Sequence, residues 1–461
     1  MFLLITQIED PIDPSCRLKS MSWDFTYIIE DPITDIQLFP ARIAWWSKPG
    51  VYLESYWSGL KPKSSFVAGI FYPSVFKGIG VGLMYDYYFT KYSFYDSSSM
   101  GTQKSQYNEQ HPSLIFGKPF LKEGGFLAFK LSYIYAQYRF FYLDYNHIDS
   151  LAVYYGDTLI SHWNYSSPYY DKQTIPQWRF RLDQFLPLDS VSSMDIVLEF
   201  CPYREHKNYF DTILECQLDT TITHVGAART VQTVESNDMD YSTTVTDKFL
   251  PLGNLIFLYQ DQPAWGKLRF LGRLGLAKGG YENRHDNISN SVFIIKDDFY
   301  YPDTNYAYAD TVVSIDTSFY MYHNNLFYFN AVFGGGGYIR GKKENVLLGV
   351  KLSYNQEQIN QPQDTFNIKN QSYCSSASIG VEWYVFKFLC LRDGLNVTLQ
   401  YNIGNLQDGV NNFEVSGSYF SEEAAFGFGI ISGSHFQMDF YTNLDIDDLF
   451  HSWAFDMTYN F

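Results

Sequence analysis

The chain has 461 residues, a formal net charge of −17 and aromatic side chains at 19% of positions, 40 Tyr and 39 Phe among them. A protein that neutralises phosphates needs a basic face, so this balance argues against nucleic acid as a partner; the aromatic load argues against helical bundles and disorder. Mean hydropathy is only −0.22 and no run of about 18 apolar residues occurs, which excludes membrane-spanning helices but leaves open a crossing made by alternating strands.

Met1 to Gln7 is apolar but lacks a basic start, a full apolar core and a small-residue cleavage site, so it is not read as a signal peptide; a precursor start further upstream is expected. Residues 1–48 carry Pro, Asp and Trp without sustained alternation and are read as a segment that plugs or caps a lumen, with residues 49–461 forming one barrel. Within the segment, Ile28 to Lys48 reads IIEDPITDIQLFPARIAWWSK. Asp31, Asp35, Pro40, Ala41 and Arg42 are its candidate plug residues. An acidic group followed by Pro-Ala and apolar residues resembles a pattern near the start of the long-chain fatty-acid transporter superfamily, with Phe39 standing where that pattern has Asn. The resemblance implies a plugged outer-membrane barrel that moves small hydrophobic or amphiphilic solutes.

From Gly50 onward, strand-like segments alternate with turns of two kinds. The short set is Pro73 to Gly78, Lys122 to Gly125, Gln260 to Trp265, Gly341 to Glu344, Phe386 to Phe388 and Ser432 to Ser434. A long set interleaves with it: Lys91 to His111, Asp144 to Thr174, Gly279 to Asn325, Asn355 to Ser372 and Asn402 to Glu422. Period-two alternation is clean in Asn345 to Tyr354, Ala377 to Val385 and Leu395 to Ile403, and aromatics crowd the strand ends. The fold expected is all-β, a transmembrane antiparallel up-and-down β-barrel of about 14–18 strands with a short N-terminal lumenal segment. Tyr209 to Val234 is ambiguous in this count.

On the same register the acids Asp86, Asp195, Glu199, Glu382, Asp439 and Asp456 and the bases Lys130, Lys267, Arg269, Arg273 and Lys351 face the lumen. A wall of mixed charge either holds a water channel open or pairs internally. Lys267, Arg269 and Arg273 form a basic stripe that could bind an anionic head group, lumen acids or the carboxylates of the plug, since a buried carboxylate needs a partner. If they hold a plug, removing residues 1–48 is expected to leave a folded barrel and open the pore.

Gly279 to Asn325 is rich in Asp without calcium-loop spacing and is read as a solvated acidic loop whose Val292 to Ile295 and Thr311 to Tyr322 segments extend as β-structure. The five cysteines, Cys16, Cys201, Cys216, Cys374 and Cys390, contain no CxxC pair; neither a zinc site nor any other cofactor is expected, though Cys201 and Cys216 could pair across neighbouring strands. A catalytic barrel would need a nucleophile beside a base. His451 next to Ser452, and His435 after Ser432 and Ser434, form no recognisable motif, so no enzymatic role is expected.

The last ten residues, Ser452 to Phe461, alternate Trp453, Phe455, Met457, Tyr459 and Phe461 against polar or small positions. They resemble the final strand of bacterial outer-membrane barrels, in which a terminal Phe serves as an assembly address; Phe461 and Tyr459 would be that signal here. The resemblance implies the outer membrane as location, with its lipid, lipopolysaccharide and the barrel-assembly machinery as partners. Gly380 to Asp439, with GVEWY, LCLRDGL and FGFGI, resembles fatty-acid transporter relatives and secretion-associated barrels. A general diffusion porin and a structural or secretion-associated barrel are the alternative functions.

Overall fold

A computed structural model describes residues 15–21, 31–45, 48–58, 63–76, 78–96, 101–120, 124–144, 153–155, 158–225, 228–300, 305–361, 366–408, 411–433, 435–444 and 452–460. Two short helices, α1 (Cys16–Lys19) and α2 (Pro32–Leu38), and a 3-10 turn (Pro40–Trp45) come first. The strands follow: β1 (Gly50–Ser58), β2 (Lys63–Phe76), β3 (Ile79–Asp96), β4 (Gly101–Pro119), β5 (Phe126–Asp144), β6 (Val153–Tyr155), β7 (Thr158–Pro187), β8 (Ser193–Val225) and β9 (Ala228–Asp261). The second half holds β10 (Gly266–Tyr300), β11 (Asn305–Arg340), β12 (Glu344–Gln361), β13 (Phe366–Phe386), β14 (Leu389–Asp408), β15 (Asn411–Ser432), β16 (Phe436–Leu444) and β17 (Ser452–Asn460).

Sixteen of these strands form one closed antiparallel barrel. The three-residue β6 is a stub paired to β7, and β5 pairs with β7 directly. Closure comes from β1 against β17, in register from Gly50 with Asn460 to Ser58 with Ser452. Closure removes every sheet edge at the level of the membrane, where an unpaired backbone group has no water to bond.

Side-chain orientation separates this barrel from a soluble sandwich. Along β14, Leu395, Leu399 and Tyr401 are exposed while Arg392 and Asn396 are buried; along β12, Leu348, Val350 and Leu352 point out. The outward belt is apolar and the interior carries the polar groups, the arrangement a bilayer selects. Inside, those groups bond one another: Ser378 Oγ donates to Asn396 Oδ1 at 2.9 Å, and Gln400 Nε2 donates to Ser372 Oγ at 3.2 Å.

The short turns all lie at one end of the barrel. A seventh, between β7 and β8, has no Gly-Pro signature; it is held by Asp189, whose carboxylate accepts from the backbone N–H groups of Val191 and Ser192 at 2.7 Å each. Among the described residues, the long segments read from sequence as loops are paired strand, including the Val292 to Ile295 and Thr311 to Tyr322 stretches expected to extend as β-structure. β8 to β11 have 33, 34, 35 and 36 residues, and β10 pairs with β11 without a break from Gly266 to Tyr300. The ambiguous Tyr209 to Val234 is the distal part of the β8–β9 hairpin. About ten residues cross a bilayer, so at about 3.3 Å per residue these strands climb far beyond it. By contrast β1, β16 and β17 have 9 residues each and do little more than cross. The Cys201–Cys216 pairing is overturned: both lie on β8, roughly 50 Å apart at strand spacing, and the buried Cys201 thiol is in no disulfide and donates to Gln177 Oε1 at 3.4 Å.

The register gives a direct test. Leu399 to Arg places a charge against lipid and is expected to cost about 2–4 kcal/mol in urea unfolding from liposomes, while Gln400 to Arg, pointing into the polar interior, should cost much less. Equal losses would refute the assigned facing.

Candidate functional site

The lumen at the short-turn end is occupied by residues 15–21 and 31–45. Asp31 begins α2 as its cap, its carboxylate accepting from Thr34 N at 2.9 Å, and Pro32 follows at the first helical position, where a missing N–H costs nothing. Ser15 ties α1 to this cap by donating from Oγ to Asp31 at 2.9 Å and from its backbone N–H to Thr34 Oγ1 at 3.0 Å. Every residue from Ile33 to Leu38 is buried. Ile33, Ile36, Ala41 and Ile43 pack against inward side chains of β1 to β5, including Tyr52, Val67, Phe71 and Ile115, and Leu38 and Phe39 pack on Val197, Ile256, Leu258 and Leu271. Phe39 therefore fills an apolar seat, and its ring lies 5.3 Å from the Arg42 guanidinium.

Charged groups lock this segment to the wall. Asp35 receives both terminal nitrogens of Arg269, at 2.9 and 2.6 Å, and Arg42 Nη1 at 3.1 Å. Arg42 Nη2 reaches Asp195 at 2.6 Å, and Asp183 accepts from the Ala41 N–H at 2.8 Å. Lys130 Nζ and Arg181 Nη1 both donate to the Gln37 carbonyl, at 2.8 and 2.5 Å, and Arg181 also bonds Glu199. Across the barrel, Arg17 donates to Glu382 at 2.9 and 3.2 Å, and Arg392 joins Glu382 to Asp439 at 3.1 and 2.6 Å. Lys19 bonds Glu54, which also accepts from Tyr52. Burial raises the Asp31 carboxyl above the usual carboxylate range, although the Arg17 charge opposes it.

Of the inward residues read from sequence, Asp35, Arg42, Asp195 and Arg269 thus meet in one cluster, and Glu382 with Asp439 in another. Asp456 is buried near Tyr52. Asp86 stands apart, 3.5 Å from His111; Lys267 is buried near the short-turn end, and Lys351 is half-buried. Arg273 faces inward with its Nε unpartnered among the described residues. Pro40 and Ala41 are buried in the 3-10 turn. Tyr459 is an exposed outward residue of β17, and Phe461 and His451 lie outside the described residues. Arg17, Lys19, Glu54, Asp183, Arg179 and Arg392 belong to the same buried network but were not singled out; strand parity alone would have turned Glu54 and Arg392 inward.

The wall yields to the segment at two glycines. A Cβ on Gly394 of β14 would lie 1.4 Å from the Met21 carbonyl oxygen, and one on Gly427 of β15 would lie 2.4 Å from Ser20 Cβ. Between α2 and the β14–β17 side lies a cavity of about 520 Å³, lined by Arg17, Asp31, Arg42, Arg392, Asp439 and Asp456 among others.

A second apolar cluster lies deeper in the barrel and has no counterpart in the sequence reading. Inward side chains of β5, β7, β8, β9, β10, β11 and β12, among them Ile175, Tyr203, Leu250, Leu252, Leu326 and Tyr328, form one apolar cluster. Tyr203 and Leu250 retain no exposed surface. A sixteen-strand ring is wide enough for an aqueous channel, so burial of this order means that these side chains pack on one another inside the β5–β12 side of the wall. The signal was present in Phe249 to Tyr259 (FLPLGNLIFLY), where apolar residues occupy both faces of the strand. Above the cluster the lining is polar again: Tyr203 donates to Glu205 at 2.7 Å, and Lys248 lies near Glu205 at 4.0 Å.

No family model matches the chain, and no curated protein does. Among solved structures, the chain is similar to the TodX deltaS2S3 mutant monoaromatic hydrocarbon channel, at 9% identity over 98% of this chain and 100% of that one, TM-score 0.40. It is also similar to the FrpB iron transporter from Neisseria meningitidis (F5-1 variant, apoprotein form), at 8% identity over 90% and 81%, TM-score 0.31. The ferric-catecholate import receptor Fiu from E. coli K12 matches at 8% identity over 90% and 82%, TM-score 0.29.

The glycine seat is testable apart from the ion pairs. Gly394 to Val leaves no room for Met21 and should expel α1, so that trypsin, excluded from the buried Lys19 in the wild type, cuts there in a barrel that still migrates faster unboiled than boiled. Continued protection would show that the wall adjusts instead.

Proposed function

We propose that this chain is a bacterial outer-membrane transport protein for small hydrophobic or amphiphilic solutes, with residues 1–48 as the gate on the periplasmic side. The observation that carries this reading is the apolar layer around Tyr203, Leu250, Leu252 and Leu326. A water-filled pore gains nothing from such a layer, which excludes ions by dewetting; an apolar solute can partition into it. The long hairpins then face outward from the cell and the short turns face the periplasm, the usual disposition of such barrels.

Two barriers in series change what removal of the plug should do. In planar bilayers, a chain lacking residues 1–48 is expected to insert normally and stay poorly conducting, because the upper layer remains. Adding Tyr203 to Ser and Leu252 to Ser in that background should open an ion pathway, raising conductance at least tenfold. The intact protein should bind the apolar fluorophore N-phenylnaphthylamine, and Tyr203 to Asp should abolish that binding. An open pore on deletion alone, or fluorophore binding untouched by Tyr203 to Asp, would remove the support for an apolar route.

A further inference from the structure

The distal half of β11 is an open sheet edge. β11 pairs with β10 along its whole length, from Gly266–Ile339 to Tyr300–Asn305, but its other neighbour, β12, pairs only from Asn325 to Arg340. Residues 305–324 therefore present one row of backbone N–H and C=O groups with no strand opposite among the described residues. Such an edge is a template for another chain, and proteins normally blunt it with prolines, inward charges or a short length. This stretch of 20 residues is long and contains no proline, and its only charges are Asp310 and Asp316.

Its two faces differ in a way that specifies what would fit. Outward, Val313, Ile315, Phe319 and Met321 make an apolar row, with Ile315 66% and Phe319 62% exposed. Toward the barrel mouth the alternate positions carry Asp310 and Asp316, both exposed and in no salt bridge among the described residues, alongside the exposed Val312 and Tyr320. Their direct partners on β10 are Ile295 and Ser289, which supply no base.

We propose that this edge takes up an extended segment of another polypeptide as an added strand, with apolar side chains on one face and Lys or Arg on the other to meet Asp310 and Asp316. Backbone bonds to the open edge supply the docking and alternate side chains the selectivity. A second copy of this chain is the wrong occupant. Antiparallel pairing of the same edge puts a two-fold axis normal to the sheet, which would invert one barrel relative to the other, whereas copies in one membrane share an orientation. A two-fold along the membrane normal would set the same residues level, where the staggered bonds of a parallel pair cannot form. Placing the edge outside the cell rests on the outer-membrane reading above; the docking itself does not.

The test uses the full chain in zwitterionic nanodiscs and a fluorescein-labelled 12-residue peptide that alternates Lys or Thr with Val or Ile. Fluorescence anisotropy should show saturable binding beyond that to empty nanodiscs. Affinity should fall at least tenfold for the Asp310 to Lys, Asp316 to Lys double variant and for a peptide N-methylated along one edge. Val415 to Lys, at the shorter open edge of β15, should change nothing, and a photocrosslinker in the peptide should label residues 305–324. Binding no stronger than to empty discs, equal binding of the N-methylated peptide, loss through Val415 to Lys, or self-association of the barrel through this edge would each overturn the proposal. The N-methylated peptide keeps the test decisive if the double variant fails to fold, and none of these readouts depends on transport.

Discussion

The carboxylate of Asp35, held between Arg269 and Arg42 with essentially no solvent contact, is the interaction on which the interior of this barrel depends. A charge taken out of water is tolerated only when its partners satisfy it. Here the partners come from separate parts of the chain: Arg42 from the N-terminal segment and Arg269 from β10, 234 positions away from Asp35. Arg42 hands the connection on to Asp195. Removing any one member would strand the others, so the segment and the wall must assemble together around this cluster. The pairing contributes specificity of placement more than net stability, because hydrophobic side chains of similar volume would fill the space without a desolvation cost.

The wall of the barrel was legible in the sequence because one physical rule governs it. A strand that faces lipid on one side and polar groups on the other must alternate, and Leu395 to Ile403 or Ser452 to Asn460 could be assigned face by face from spacing alone. The same rule turned Arg269 inward, while Asp35 was assigned to the lumen because its segment lacks alternation. It failed wherever both faces of a strand meet similar surroundings. Phe249 to Tyr259 packs apolar atoms on lipid and on the inner apolar clusters, so its pattern carries no facing. The distal parts of β8 to β11 meet water on both faces, lose their alternation and look like loops. Nothing local in Lys91 to His111 or Asn402 to Glu422 reveals that the two halves of each stretch continue as a hairpin; that depends on pairing partners, not on composition. The turn at Asp189 escaped notice because side-chain oxygens stabilise it in place of Gly or Pro.

The lumen is layered by polarity. Nearest the short turns, the N-terminal segment packs apolar residues against the wall and ties its charges to it. Above it Arg179, Arg181, Glu199 and Asn254 form a buried polar layer, with Asn254 Nδ2 donating to Glu199 at 2.5 Å. The apolar layer around Tyr203 follows, and then the acids and bases around Glu205 and Lys248. Each boundary is a change of solvent for anything that traverses the barrel.

The unequal height of the wall bears on how the barrel is put together. Among the described residues, β10 and β11 share 35 residue pairs, while β16 meets β17 through 7 pairs and β17 meets β1 through 9. The latter junction also unites residues 410 positions apart (460 − 50), so its formation carries the largest loss of chain entropy of any junction in the ring. Tall hairpins can zip early from their own turns; the short seam has few bonds to offset the ordering it demands and closes last. By the same count the junctions made by β1, β16 and β17 are where the ring can part under strain, so the rest of the wall can stay intact while these short strands separate and rejoin.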